Sequence, residues 1–353
     1  MNPSHPHHPH SRATLRGVEW ETLNNEAVRL LDAGDYERGV EVAIKALELA
    51  EFHLEPDHPD LATSLNNLAG LYEKLGHNEL SEPLYIRSLS INEQAYEADH
   101  PVVATSLNNL AVMHKALGQF PLAEPLFQRS LAMREKVLGA KHPSVAASLN
   151  NLAALYQAQG KHSAAEPLYI RALAIREEVL GRNDPKVAAT LNDLAGLYKS
   201  QGRYTDAEPL FARALAIRED ALGKGHRLVA QSVNNLASLY KLMGQYKHAK
   251  SLYVRALEIR EKTLGPDHAS VATSLNNLAL LLFLKGQYTL AEPLYTRSLA
   301  IRERAVGSNH ATVATILTNI AELYRATDRI AESEAATARA ALIRATRLPG
   351  RHG

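Results

Sequence analysis

No cysteine occurs among the 353 residues. Disulfides, cysteine-ligated zinc, iron–sulfur clusters and thiol catalysis are therefore excluded together. No apolar run reaches the roughly 18 residues that a membrane-spanning helix needs. Residues 1–17 lack the apolar stretch of a secretory signal. Neither charge sign is in excess: 39 Lys and Arg face 38 Asp and Glu. That balance removes the bulk electrostatic case for nucleic acid or an anionic membrane surface as partner. At 46% hydrophobic and 22% charged residues, the composition is close to the globular average and sufficient for a core. Length alone suggests about two domains. A soluble, cytoplasmic protein is the expectation.

What is abundant is self-similarity, which ranks above other signals in a sequence. The string LNNLA starts at Leu65, Leu107, Leu149 and Leu275, with LNDLA at Leu191 and VNNLA at Val233. All fall on a 42-residue grid. LNNEA at Leu23 and LTNIA at Leu317 extend it to eight repeats. Ala146–Val187 and Ala188–Val229 share 24 of 42 positions.

Each repeat reads as two helices. In the first, Leu107, Leu110, Ala111 and His114 follow the i, i+3, i+4, i+7 spacing of one helical face. Gly118 and its equivalents suit the left-handed position that ends a helix. The second helix carries Ala123, Phe127, Leu131 and Met133. Pro125 and its equivalents Pro83, Pro167, Pro209 and Pro293 are expected in the first turn, where a missing amide costs little. Turns such as Asp57-His58-Pro59 and Asp99-His100-Pro101 open the next repeat. One hairpin cannot bury its apolar face alone, whereas stacked hairpins make a continuous core. Thr337 and Ala341 replace an aromatic and a Leu in the eighth repeat, and Glu26 replaces a Leu in the first, as capping repeats require. The expected organisation is a His- and Pro-rich disordered tail over residues 1–17, a whole array over 18–347 and a short tail over 348–353.

The pattern L-x-x-L-A-x-x-Y, then G, then A-E-x-x-[FY]-x-x-[AS]-L is carried by Leu149, Leu152, Ala153, Tyr156, Gly160, Ala165, Tyr169 and Ala172. It resembles the tetratricopeptide (TPR) repeat. With LNNLA, AEPLY, RALAIRE and DHP on a 42-residue period, it is similar to the kinesin light chain type. The resemblance implies an all-α solenoid wound as a right-handed superhelix, with first helices lining a concave groove that takes extended peptides of partner proteins. The heptad region that joins a light chain to its motor is not found here, so a motor subunit is not expected. In TPR proteins the second Asn of such a pair contacts the main chain of a bound peptide. Carried over, the peptide-binding residues are Asn67, Asn109, Asn151, Asn235, Asn277 and Asn319, with Asn25 at the front and Asp193 as the exception.

Asn is a poor mid-helix residue because its side chain competes for backbone hydrogen bonds. Its recurrence at seven helix centres is a repeated local cost. A side-chain amide both donates and accepts, so it can pair with any peptide bond. Packed helices lie about 8–10 Å apart and an extended chain advances about 3.3 Å per residue. One Asn per repeat then meets every third residue of a partner. The alternative is that these Asn pair with neighbouring helices and hold the array together; both readings stand on sequence alone.

Specificity has to come from what varies. Beyond the Asn pair, the same helix face carries Gly70 and Glu73, then Val112 and Lys115, Ala154 and Gln157, Gly196 and Lys199, Ser238 and Lys241, Leu280 and Phe283, and Glu322 and Arg325. Lys115, Lys199, Lys241 and Arg325 scatter positive charge along it. Leu280, Phe283 and Leu284 are apolar where other repeats are polar or small, with Leu242 and Met243 one repeat earlier. A groove-facing apolar cluster beside cations suits an acidic peptide with an aromatic anchor, a motif class for which light-chain-type arrays are known. The same cluster also suits internal packing or a contact between two copies.

Sixteen His do not make a metal site. His58, His100, His142, His226, His268 and His310 lie one repeat apart, far beyond the about 2.0–2.1 Å reach of shared zinc ligands. They are expected to cap or pin the turns. His114 stands at a core Tyr position and is expected to be buried. The His-Pro-His-His-Pro-His run at residues 5–10 has no fold to fix ligands. Pairs such as Arg134-Glu135 and Arg218-Glu219 suggest salt bridges between repeats and a solvated face. Nearly every polar residue recurs, whereas catalysis needs a singular constellation. No G-x-S-x-G, P-loop, H-E-x-x-H or dinucleotide fingerprint is present. The expectation is a non-enzymatic, cofactor-free scaffold binding partner proteins through short peptides. A self-assembling structural protein and a regulatory subunit of a separately encoded enzyme or receptor are the alternatives.

Overall fold

The computed structural model describes residues 10–97 and 99–345. Among them are sixteen helices and no strand. The chain divides into two compact bodies, the first ending at Ile175 and the second beginning at Arg176. The first holds α1 (His10–Ala33), α2 (Tyr36–His53), α3 (Pro59–Leu75), α4 (Asn78–Ala95), α5 (Pro101–Ala116), α6 (Phe120–Leu138), α7 (Pro143–Ala158) and most of α8 (His162–Leu180). The second holds the end of α8, α9 (Pro185–Ser200), α10 (Tyr204–Leu222), α11 (Arg227–Leu242), α12 (Tyr246–Leu264), α13 (Ala269–Leu284), α14 (Tyr288–Val306), α15 (Ala311–Ala326) and α16 (Ile330–Ala345). Consecutive helices form hairpins on the 42-residue grid. α1 starts at His10, inside the segment expected to be a tail. Residues 1–9 and 346–353 lie outside the described residues, as does most of the His-Pro run.

The hairpin boundaries follow from single residues. His58 Nδ1 accepts the Asp60 amide at 3.1 Å and His226 Nδ1 accepts the Leu228 amide at 3.1 Å, each capping a first helix. Asp184 does the same for α9, accepting from Lys186 at 2.7 Å. A capping acceptor satisfies one of the helix's orphan amides. Gly286 ends α13 at φ 71°, where L side chains are strained. Its equivalent in the last hairpin is Asp328, at φ 57°, the one non-glycine residue with positive φ among those described.

The core is shared between successive hairpins. Phe127 of α6 is fully buried with Ala111 of α5 and with Leu152 and Leu155 of α7. In the second body Phe211 of α10 takes the same place between Ala195 of α9 and Leu236 and Leu239 of α11. Burying such a ring contributes about 2–3 kcal/mol. Where the helices approach closely, small hydroxyls replace apolar bulk: Ser130 Oγ donates to the Ala104 carbonyl at 2.7 Å, and Ser298 Oγ to that of Ala272 at 2.7 Å.

Two sequence expectations change. Pro125 and its equivalents lie inside their helices rather than in the first turn, since α6 starts at Phe120 and α10 at Tyr204. The turn after each glycine is short, so the second helix begins early and the proline leaves one carbonyl without its helical amide. The Arg-Glu pairs also split. Their Glu accepts from the next second helix, as in Arg171–Glu135 at 2.6 Å and Arg297–Glu261 at 2.6 Å. Their Arg turns inward: Arg218 is buried and donates to Ser232 Oγ at 2.9 Å and the Leu228 carbonyl at 3.1 Å.

Candidate functional site

The first helices of each body present one face bearing the Asn pair and the positions one and two turns beyond. The asparagines bond to one another. The second Asn of each pair donates through Nδ2 to Oδ1 of the first Asn of the preceding repeat. In the first body the rungs are Asn67 to Asn24 at 3.0 Å, Asn109 to Asn66 at 2.8 Å and Asn151 to Asn108 at 2.8 Å. In the second they are Asn235 to Asn192 at 3.3 Å, Asn277 to Asn234 at 2.9 Å and Asn319 to Asn276 at 2.9 Å. The amide donors thus brace neighbouring repeats, the packing use that the sequence left open. Each second Asn that makes a rung is half-buried, which leaves a partner its Oδ1 and remaining amide hydrogen to meet, while Asn25 at the front is exposed. Asp193 brings an acceptor-only side chain into the row, and its charge acts on Arg176 and Arg218. Beside it, Asn192 Nδ2 turns to the Ala188 carbonyl at 3.0 Å and to Ser232 Oγ at 3.3 Å.

Two turns beyond the pair, a tyrosine hydroxyl from the second helix reaches the same face. Tyr85 donates to Glu73 Oε2 at 3.1 Å and Tyr169 to Gln157 Oε1 at 3.0 Å. Tyr253 and Tyr295 are as deeply buried; the Tyr253 hydroxyl meets Ser238 instead, and that of Tyr295 has no hydrogen-bond partner among the described residues. The residues twelve before them are Lys241 and Phe283, which have no acceptor to offer. Burial pushes the Tyr253 phenol up to about 12, against an opposing pull from Ser238. This feature was missed on sequence, although the grid carried the signal: a donor or a hydrocarbon where earlier repeats place Glu or Gln.

The cationic positions differ from one another. Lys199 and Lys241 are half-buried, and burial holds both amines below the usual lysine range. Lys199 adds like-charge repulsion on Lys241. Neither has a hydrogen bond or ion pair among the described residues. Arg325 is exposed and paired to Glu322 at 2.8 Å. The apolar cluster of the seventh repeat also divides. Leu281 and Leu282 are core, while Leu280 and Phe283 are half-buried against that core, with Phe283 5.5 Å from the Tyr288 ring. Leu284 and its equivalent Leu242 are each 48% exposed. His114 is buried and bonds Gln119 Oε1 through Nδ1 at 2.7 Å. Among the described residues no three His, Asp or Glu side chains cluster as metal ligands, and no helix is long and apolar enough to cross a membrane.

The Tetratricopeptide repeat family matches residues 21–91, 70–136, 103–178, 144–220, 186–262, 228–303 and 270–345, overlapping stretches that run almost the length of the chain. Among solved structures, BtubC (BKLC) from P. vanneervenii is 26% identical, with a TM-score of 0.56 over 66% of this chain and 96% of its own. A singly substituted form of nearly identical TPR-like repeats, provisionally named a kinesin light chain of Podosopora anserina, is 26% identical, with a TM-score of 0.50 over 57% of this chain and 94% of its own. A Rap protein complexed with Competence and Sporulation Factor shares the fold at 15% identity, with a TM-score of 0.57 over 93% of this chain and 98% of its own. No curated protein matches the chain. Period, hairpins and family match agree: the chain belongs to the tetratricopeptide repeat family, in its 42-residue kinesin light chain-like form.

Proposed function

We propose that this scaffold, without catalysis of its own, holds extended segments of partner proteins against the face of its first helices. The segments are acidic, carry an aromatic anchor and meet the protein in the cytoplasm. The observation that carries the reading is the company kept on one face of the second body. Two half-buried amines without internal partners, Lys199 and Lys241, share it with the half-buried Leu280 and Phe283 and the exposed Leu242 and Leu284. Unpaired, partly desolvated cations attract carboxylates strongly, and an apolar patch beside them suits an aromatic side chain. The Rap protein complexed with Competence and Sporulation Factor is an instance of this fold with a partner bound. The asparagines contribute through their Oδ1 atoms, which the brace leaves open to a partner's backbone amides.

Fluorescence-polarisation titration of labelled acidic peptides, with and without an aromatic residue, tests the reading at low and physiological salt. Micromolar binding that needs the aromatic residue, weakens as salt rises and is lost in Phe283→Asp is the expected result. Absence of binding at any salt removes it. The exposed Leu242 and Leu284 favour one competing reading, self-association. Under it, light scattering finds a dilution-resistant dimer that Phe283→Asp dissolves.

A further inference from the structure

At one turn of the second body an ion pair found at other turns is missing. Asp99 accepts from Lys136, 37 residues further on, and Asp267 accepts from Arg304 at 2.7 Å over the same interval of 37. That register sets Gly225 against Lys262. Lys262 is exposed, and its amine has no hydrogen bond or ion pair among the described residues. The backbone does not ask for this glycine. Gly223, two residues earlier, holds a positive φ of 80°, whereas Gly225 does not, and a Cβ added to Gly225 would meet no atom within 4 Å. A side chain would fit there without strain; its absence leaves room for another chain to come close. An open cleft of about 410 Å³ lies at this turn, lined by Gly225, His226 and Arg227 and by Thr263 and Leu264, which follow Lys262.

The same turn departs from the others a second time. Arg227 stands where other turns have proline or alanine, as at Pro185 and Ala269. It is exposed, and its guanidinium has no partner among the described residues. His226 Nδ1 accepts the Leu228 amide at 3.1 Å, so the ring's proton sits on Nε2 as a further donor. No Asp or Glu lines the cleft. One departure thus removes an acid and the other adds a base. We propose that this cleft takes an acidic segment of a partner protein. One carboxylate of the segment occupies the place that Asp99 and Asp267 fill in their own turns and pairs with Lys262; a second meets Arg227. The ligand class is read from the molecule itself, since an aspartate side chain is what the equivalent cations hold elsewhere. None of these residues belongs to the positions assigned to the peptide-holding face, so the site stands or falls separately from that reading.

Full-length protein with labelled lysine and arginine side chains is titrated by NMR with acetyl-Asp-Gly-Asp-amide. Parallel titrations use acetyl-Asn-Gly-Asn-amide, and acetate at equal carboxylate concentration. The Lys262 and Arg227 signals are expected to move on one saturation curve with the diacid peptide, at about tenfold lower concentration than with either control. Gly225→Asp supplies the missing carboxylate from within and is expected to abolish the Lys262 response. Lys262→Met is expected to weaken the Arg227 response about tenfold, as loss of a charge-assisted bond does. A Lys262 response unchanged in Gly225→Asp overturns the site, because the ligand then does not enter that place. Equal responses at the exposed Lys247 and Lys285 also overturn it, since screened attraction acts on any surface amine. Acetate acting as strongly as the diacid peptide overturns the partner segment in favour of the free ion. Lys199→Met/Lys241→Met alters the other face and is expected to leave the Lys262 curve in place; loss of the curve there overturns the cleft as the peptide's site. Melting of Gly225→Asp at or above the parent midpoint shows that a lost response is not a lost fold.

Discussion

Asn277 occupies the centre of a buried-edge hydrogen bond, not an idle surface position. Its Nδ2 donates to Asn234 Oδ1 at 2.9 Å. Asn277→Ala is therefore expected to lower stability by about 1 kcal/mol, through the lost bond and the acceptor it leaves behind. Chemical denaturation measures it; an unchanged midpoint would return the asparagine to a purely ligand-facing role. Asp328 offers the opposite sign. It holds a left-handed φ of 57° where the other hairpins have glycine. Asp328→Gly relieves that strain and is expected to stabilise by about 0.5–1 kcal/mol, net of the glycine's own chain entropy. The His caps bring pH into play. His268 accepts the Ser270 amide through Nδ1 at 3.0 Å, so the cap needs the neutral ring. Burial, then Arg260 and Arg302, hold its pKa below the usual histidine value. The unfolded ring takes up its proton near about 6.5, so this cap's contribution is present above that pH and is lost as pH falls toward the folded value. His268→Asp, copying Asp184, is expected to flatten that loss; pH-dependent melting of the two proteins decides it.

Helix by helix, the sequence was a good guide to what repeats and a poorer one to what pairs. The 42-residue period, two helices per repeat, the glycine stops and the His caps were all legible, because each is set by a local residue with a local physical role. Pro209 was misplaced because a turn of three residues, Gln201 to Arg203, leaves little signal of where α10 begins. The inward turn of Arg218 was not legible either, since its partner Ser232 belongs to the next repeat and becomes visible only with side-chain direction. The same limit applies to the site. Its positions were readable from the grid, but whether Lys199, Lys241 and Arg325 had partners was not. The sixth repeat already carries Ser251 where its neighbours have proline. Pro209→Ser is accordingly expected to keep the fold and raise the melting midpoint, because it restores an amide to the Thr205 carbonyl. A fall would show that the proline sets a bend which the packing needs.

For the molecule as a whole, stability is a sum of hairpins and the interfaces between them. Phe211→Ala removes a ring shared by α9, α10 and α11 and is expected to cost about 3–5 kcal/mol. Hydrogen exchange should find that loss concentrated in the fifth and sixth repeats rather than spread evenly through the chain; uniform acceleration would mean that the array unfolds as one cooperative block. Each ion pair of the Arg–Glu ladder between second helices is worth only about 0–1 kcal/mol at the surface. The ladder therefore orients repeats more than it holds them.

Within each body the asparagine rungs run the same way, a repeat giving a hydrogen to the one before it and receiving one from the one after. A segment of 42 residues removed or duplicated in register there leaves the remaining rungs, rings and ion pairs with partners of the same kind. For the gene, recombination between two such segments is thus a mild event. It changes how long a partner the protein can hold while leaving the grip at each repeat as it was. Inheritance can adjust the reach of this molecule in whole steps, independently of the point substitutions that tune what is held.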